Sequence, residues 1–552
     1  MTSGPMERFR HICCGILVAA ALGLTAWIFQ IGVHKNLAGT LNGIEWYRYM
    51  NSIAAALTKA KTGVGGFVAH DLITVELLRG GLTDNERIAS ELGFPFPSNL
   101  ANAALLESAL QRAQALPIER VHPYHLGGDD VGLATFSRMA FATFGTHIKS
   151  LYYAYFLLLS VAIILFISRF YAQIPALIAL VLAVAALFVM TCSDLVNVER
   201  SHWPFVGEPG SDLKDPRSFG TIAAIPALHL VMTWLRRDRL GAWDCAAIGG
   251  QAIILAFAFH VRTPVAWVVM ALAACWLVLL WLRRIGLGAT LRTALDWRST
   301  ISIYPLAAFI AAIAGTGFAV TASLHPLYAE ERAYAYHPVS PGLIYSLQFH
   351  PQWKEKYAAS VNDTYDDAMY TEIAKIHIAR LPADARAQHL TKDGWPTREA
   401  IARFSRDRFL EYLRADPVFV AETFFLYKPR TIARSIWLFH SSALNAVTAL
   451  QWTGLLAILV LAAAILAAIG EEVVLLRLFT ITVAFSILSL LPNLVSPANQ
   501  YQMVDHFIWS ITALLGALVS GAAYLSRKAA RHIAIDASGS TAFSAPTSPH
   551  AV

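Results

Sequence analysis

Charge is what this chain has least of: only 14% of its 552 residues are Asp, Glu, Lys or Arg, where soluble domains carry about 25%. With 56% of the residues hydrophobic, an ordinary soluble enzyme is excluded and most of the chain belongs in lipid. The five cysteines, Cys13, Cys14, Cys192, Cys245 and Cys275, lie in or beside apolar runs, and the two long polar stretches have none. That excludes a disulfide framework and a cysteine zinc site. A Walker phosphate loop, a His-Glu-x-x-His pair and a Gly-x-Ser-x-Gly elbow are all absent, which counts against an ATP-driven pump, a zinc protease and an α/β-hydrolase. No internal repeat is found, although transporters commonly show paired halves. The net charge of +6 does not imply a nucleic-acid partner, because membrane proteins collect Lys and Arg on their cytoplasmic loops.

What the chain has in abundance is long apolar runs. An unpaired backbone amide is too costly in hydrocarbon, so each run of about 20 residues reads as a helix crossing about 30 Å. The first, Ile12 to Val33, follows a basic start (Met6-Glu-Arg-Phe-Arg10). It exceeds the roughly 7 to 15 residues of a cleavable signal core and reads as a retained anchor. Further spans are predicted near 151–169, 173–191, 219–235, 243–261, 264–282, 301–321, 447–469, 473–493 and 504–525. The expected fold is an all-α polytopic membrane protein of about ten transmembrane helices, with two large outer loops forming a mainly helical layer.

Basic residues set the orientation. Arg236-Arg237-Asp238-Arg239, Arg283-Arg284 with Arg292 and Arg298, and Arg527-Lys528 with Arg531 all fall on one side of that layout. This side is read as the cytoplasm, with both termini. The expected organisation is an anchor at 1–33, a first outer loop at 34–150, spans 2–7 within 151–321, a second outer loop at 322–446, spans 8–10 within 447–525 and a cytoplasmic tail at 526–552. The tail is expected to be disordered, since Ser538 to Val552 is rich in Ser, Ala, Thr and Pro.

Neither loop reads as a plain linker. In the first, a helix from about Leu100 to Leu110 is stopped by Pro117, a second runs from about Trp46 to Lys59, and a third follows Asp130 with Leu133, Phe136, Ala140 and Phe144 at helical spacing. In the second, Thr397 to Ala415 reads as a helix with Ile401, Phe404 and Leu413 on one face. Small loops bury little on their own, so the two are expected to pack together as one layer.

This layout resembles the GT-C superfamily of membrane glycosyltransferases, which have a long first outer loop with interfacial helices and a second substantial loop after the seventh span. The segment from Gly127-Gly-Asp-Asp-Val through Phe144-Gly145 is similar to the acidic segment, followed by helix, that precedes span 2 in many bacterial members. Glu45-Trp46-Tyr47 stands where the family commonly has an acidic residue before an aromatic, with Glu replacing the usual Asp. The resemblance implies a bacterial plasma membrane location, membrane lipids as surroundings, a polyprenyl-phosphate-linked sugar as donor, and a glycan, lipid or protein acceptor. It also implies that a carboxylate of the first loop acts as base on the acceptor hydroxyl or binds a divalent cation, Mg or Mn. O-antigen ligases and polymerases share many spans but concentrate their bulk in one late loop; a transporter or an assembly scaffold is the non-enzymatic alternative.

Asp129, Asp130 and Glu45 are therefore the candidate catalytic residues, with Asp129, Asp130 and His125 as candidate metal ligands. Neighbouring carboxylates raise one another's pKa unless a cation is near, but an Asp here is equally suited to capping the following helix. Glu45 likewise suits the positive end of its helix dipole, and His122 and His125 suit surface hydrogen bonds. For the donor phosphate the candidates are Arg138, Arg262, His202, Lys428 and Arg430, because a guanidinium fork matches phosphate. Lys428, Arg430 and Arg434 could instead reach lipid headgroups. Trp353 and the stretch Asn362 to Asp367 have a composition suited to sugar stacking and hydrogen bonding, or to an ordinary loop. Asp505 and His506 enter the last span, where ionisable groups need partners or a cavity.

Overall fold

Each of the ten apolar stretches satisfies its backbone internally, and in a computed structural model of the chain all ten are helical. The structure describes residues 4–38, 40–41, 43–63, 68–70, 101–116, 123–125, 131–192, 219–235, 239–261, 265–282, 302–322, 339–362, 368–390, 394–491 and 500–541, with isolated positions 292, 296, 298 and 494.

The helices are α1 (Pro5–Ala38), α2 (Gly43–Thr62), α3 (Ala103–Ala115), α4 (Val131–Phe144), α5 (Ile148–Phe170), α6 (Ile174–Cys192), α7 (Phe219–Leu235), α8 (Ala242–Val261), α9 (Ala266–Leu282) and α10 (Tyr304–Ala322). The second half adds α11 (Val339–Ser346), α12 (Ala368–Ala379), α13 (Arg398–Ala415), α14 (Pro417–Glu422), α15 (Lys428–Asn445), α16 (Ala449–Ile469), α17 (Glu472–Leu488) and α18 (Gln500–Thr541), with single turns between some of them. Two short antiparallel ladders complete the inventory: β1 (Thr40–Leu41) with β3 (Ala101–Asn102), and β2 (Val68–His70) with β4 (Pro123–His125).

Six helices, α1, α5, α6, α8, α16 and α18, contain stretches long and apolar enough to cross a membrane, and α7, α9, α10 and α17 contribute shorter apolar stretches. At the centre stands α6, all 19 of whose residues are buried. Its alanines, among them Ala176, Ala179, Ala183 and Ala186, let α1, α5, α7, α16, α17 and α18 approach closely.

Contacts at the two ends show how the chain runs back and forth. At one end Arg10 pairs with Glu471, the Arg527 guanidinium lies against Gly470, and the Arg298 carbonyl accepts from the Leu240 amide at 3.0 Å. At the other, Tyr152 Oη donates to the Phe29 carbonyl at 3.0 Å and His260 Nε2 meets the Ile313 carbonyl at 3.1 Å. The first end also holds a buried polar network that the apolar runs hide. Arg169 of α5 donates through Nε to Asp244 Oδ1 of α8 at 2.8 Å, and its Nη1 meets His229 Nε2 of α7 at 2.8 Å and Thr233 Oγ1. Four polar residues from three apolar runs converge once the helices pack.

Two expectations are corrected. The last helix continues to Thr541, so the tail from 526 is helical up to that residue. Arg527-Lys528-Ala529-Ala530-Arg531 is a run of strong helix formers that extends the register. Among the described residues, the two long loops do not share one core. Ile53, Leu57, Leu110, Leu133 and Phe136 of the first belong to the same cluster as the bundle, whereas Ile344, Leu347, Trp353, Ile373, Phe404, Phe419 and Val420 of the second form a separate one. Within α13, Thr397 caps the start by accepting from the Ala400 amide at 3.2 Å. The face it buries is Ala400, Phe404 and Tyr412, while Leu413 is exposed.

Candidate functional site

The first loop builds its site from two amphipathic helices. In α2, Ile53, Ala54 and Leu57 are buried, and in α4, Leu133, Phe136 and Ala140 are buried. Both sets follow the helical three-to-four spacing, and the two helices pack on each other, with α4 also against α5 and α8. The β2–β4 ladder pairs Val68 with His125, linking the chain just after α2 to the chain just before 126–130. Lys61 Nζ donates to the Leu116 carbonyl at 2.9 Å and fastens α2 to the end of α3.

The closest approach is at Gly132. A Cβ there would lie 2.3 Å from the His260 carbonyl carbon and oxygen and 2.5 Å from the Val261 nitrogen, so only glycine lets the first turn of α4 rest on the last turn of α8. His260 in turn faces α10, its ring 3.2 Å from where a Cβ on Gly317 would be. Gly132 follows Asp130 by two residues, and His260–Val261 immediately precede Arg262.

On the same pair of helices, Arg138 of α4 and Lys59 of α2 are both half-buried. Burial, and then the Arg138 charge, pull the Lys59 amine below its usual range. Two cations that disfavour each other are a ready seat for an anion. Lys59 carries no signal of this in the sequence, where a lysine in the last turn of a helix reads as complementing the dipole.

Asp129, Asp130, Arg262, His202 and His122 lie outside the described residues. Glu45 sits in the first turn of α2, and His125 ends β4. Among the described residues no group of three or more His, Cys, Asp and Glu converges to hold a metal ion.

The second loop deploys its candidates differently. Trp353 is 2% exposed, packed edge-on and tilted against Tyr412 and Tyr357 at centroid distances of 5.9 and 5.8 Å; it is a core residue with no face open to a sugar. Lys428 is also buried, donating to Ser346 Oγ with the Phe349 and Phe424 rings 5.7 and 5.4 Å away. Burial pulls its amine down to about 6, since desolvation outweighs the roughly 1–2 kcal/mol that ring faces return to a cation. It cannot grip a phosphate at the surface. Arg430, two residues on, is exposed. Asn362 takes a left-handed conformation with φ 53° and donates to Glu372 Oε1 at 2.8 Å, while 363–367 lie outside the described residues.

A third polar group gathers where α15, α17 and α18 meet. His440 Nδ1 faces the Ile436 carbonyl at 2.8 Å, so it carries the proton, and Nε2 meets Ser510 Oγ at 2.7 Å. His506 Nδ1 lies 2.9 Å from both the carbonyl and the hydroxyl of Ser486. Burial holds His440 down to about 4, so it is neutral at ordinary pH. Asp505 is buried.

No protein-family model, no curated protein and no solved structure matches this chain.

Proposed function

We propose that the protein is a membrane glycosyltransferase in which all ten apolar helices cross the bilayer and the end bearing α2–α4 faces outward. The observation that carries this reading is the Gly132 contact. It sets the helix that follows the acidic pair directly on the turn that precedes Arg262, and that helix and α2 carry the half-buried cations Arg138 and Lys59. A carboxylate segment and a cationic seat at one rim of a lipid-embedded bundle suit transfer from a polyprenyl-phosphate sugar. The acceptor hydroxyl attacks the anomeric carbon and gives its proton to Asp130 or Asp129. The bond from that carbon to the phosphate oxygen breaks, and the departing polyprenyl phosphate is held by Lys59 and Arg138. Exposed Trp243 and Trp281 at the inward end and Trp437 at the outward end occupy the interfacial levels that tryptophan favours.

The test is transfer in reconstituted membranes from lipid-linked sugars, the donor being the species that accumulates when the protein is deleted. Asp130→Asn, or failing that Asp129→Asn, is expected to abolish transfer while expression holds. Full activity in the double variant removes the acidic pair from the mechanism. One observation favours a second reading: the late loop folds around its own core, as a ligase or polymerase with its bulk in one late loop would. Transfer of a whole preassembled glycan, with no transfer of single sugars, would select it.

A further inference from the structure

The stretch from α14 through α15 buries Phe419, Val420, Thr423, Lys428, Ile432, Ser435 and Ala443 against the protein. Its opposite side is also apolar. Val418 is 65% exposed, Phe425 85%, Leu426 54% and Trp437 72%, and between Leu426 and Trp437 the same side presents Arg430 and Arg434, both exposed and one helical turn apart. Phe425 and Trp437 are separated by about 18 Å of helix, so aromatic anchors bracket the arginine pair.

Two features say what covers this side. Thr448, whose extended backbone and capping box start α16, separates α15 from that helix by only a few residues. The stripe therefore ends where the chain enters a helix long and apolar enough to cross a membrane, whose own Leu450, Leu456 and Val460 are exposed. The exposed charges between Phe425 and Trp437 are both basic, and exposed Glu422, just before them, faces His350 Nε2 at 3.1 Å; the arginine pair complements acidic phospholipid and does not favour a second copy of the same face.

We propose that the 418–437 face lies in the bilayer interface, Phe425, Leu426 and Trp437 among the upper acyl chains and Arg430 and Arg434 on the phosphates of anionic phospholipids. The segment then fixes the height of the second loop's folded unit above the membrane. This stands independently of glycosyl transfer and asks only that α16 be in lipid.

The test uses the full chain in nanodiscs of equal phosphatidylcholine and phosphatidylglycerol, with a benzophenone amino acid at Phe425 or Trp437, and at the exposed Arg406 of α13 as control. Illumination is expected to give phospholipid adducts at 425 and 437 and none at 406. Phosphatidylglycerol adducts should exceed the mixing ratio, and that preference should fall roughly fivefold per arginine in Arg430→Gln and Arg434→Gln. Arg430→Lys with Arg434→Lys should retain it, which keeps the charge test decisive if the glutamine variants misfold. Adducts to a second copy of the chain, equal lipid labelling at 406, or adducts at the mixing ratio would each overturn the proposal.

Discussion

The two long loops are nearly equal in length but solve the same problem in opposite ways. The first contributes its apolar faces to the bundle: α2 and α4 share one core with α5 and α8, and Gly132 seats the start of α4 on α8. The second keeps its apolar residues to itself, with Trp353, Phe404 and Phe419 at the centre of a small unit. A loop built into the bundle is positioned as rigidly as the helices, which suits chemistry at the rim. A loop with its own core can be held at a chosen height and shift without disturbing the rest.

The sharpest way to break this contrast is Trp353→Ala. Emptying that site is expected to cost about 3–5 kcal/mol, and hydrogen exchange should show protection lost across 339–427 while the bundle keeps its own. Equal loss in α2 and α4 would mean that the units are not separate. Gly132→Ala acts from the other side. Its Cβ meets backbone, which cannot rotate away, so a destabilisation of about 3 kcal/mol should appear in the thermal midpoint of the bundle.

Lys428→Met probes the second unit through pH. Because the folded amine titrates at about 6 and the unfolded one near 10.4, the unfolded chain binds more protons between those values. Stability of the second unit should therefore rise with pH across that window. The methionine variant should lose that slope and unfold at a higher temperature near pH 7. The smallest effect is expected from Asp416, which accepts from Lys356 Nζ at 2.9 Å and caps α14 by accepting from the Phe419 amide at 3.0 Å. Its carboxyl is held low, first by Lys356 and then by the Phe419 amide, so its contribution is present above the unfolded carboxylate pKa and lost as pH falls through the folded value. Asp416→Ala should lower the midpoint slightly at neutral pH and flatten the acid limb.

Much of this was legible from local pattern. Hydropathy finds all ten apolar helices, and helical spacing finds α2, α3, α4 and α13. What escaped was nonlocal. Arg169, His229 and Asp244 meet only through packing of three helices, and Lys59 becomes part of a cationic pair only because α2 lies on α4. Trp353 and Lys428 looked like surface chemistry because aromatics and charge in a loop read the same whether they face solvent or one another. The acidic pair is read from a motif and lies outside the described residues; the structure adds the contact of its neighbour Gly132.

The central helix α6 has one more consequence, for how the molecule is made. Of its neighbours, α1, α5 and α7 are synthesised close to it, but α16, α17 and α18 emerge roughly 270 or more residues later. Until then part of its surface must face lipid or a chaperone. Nascent chains halted before α16 should consequently be short-lived in the cell, and the last three helices act as the closing staves of a barrel already assembled around its middle.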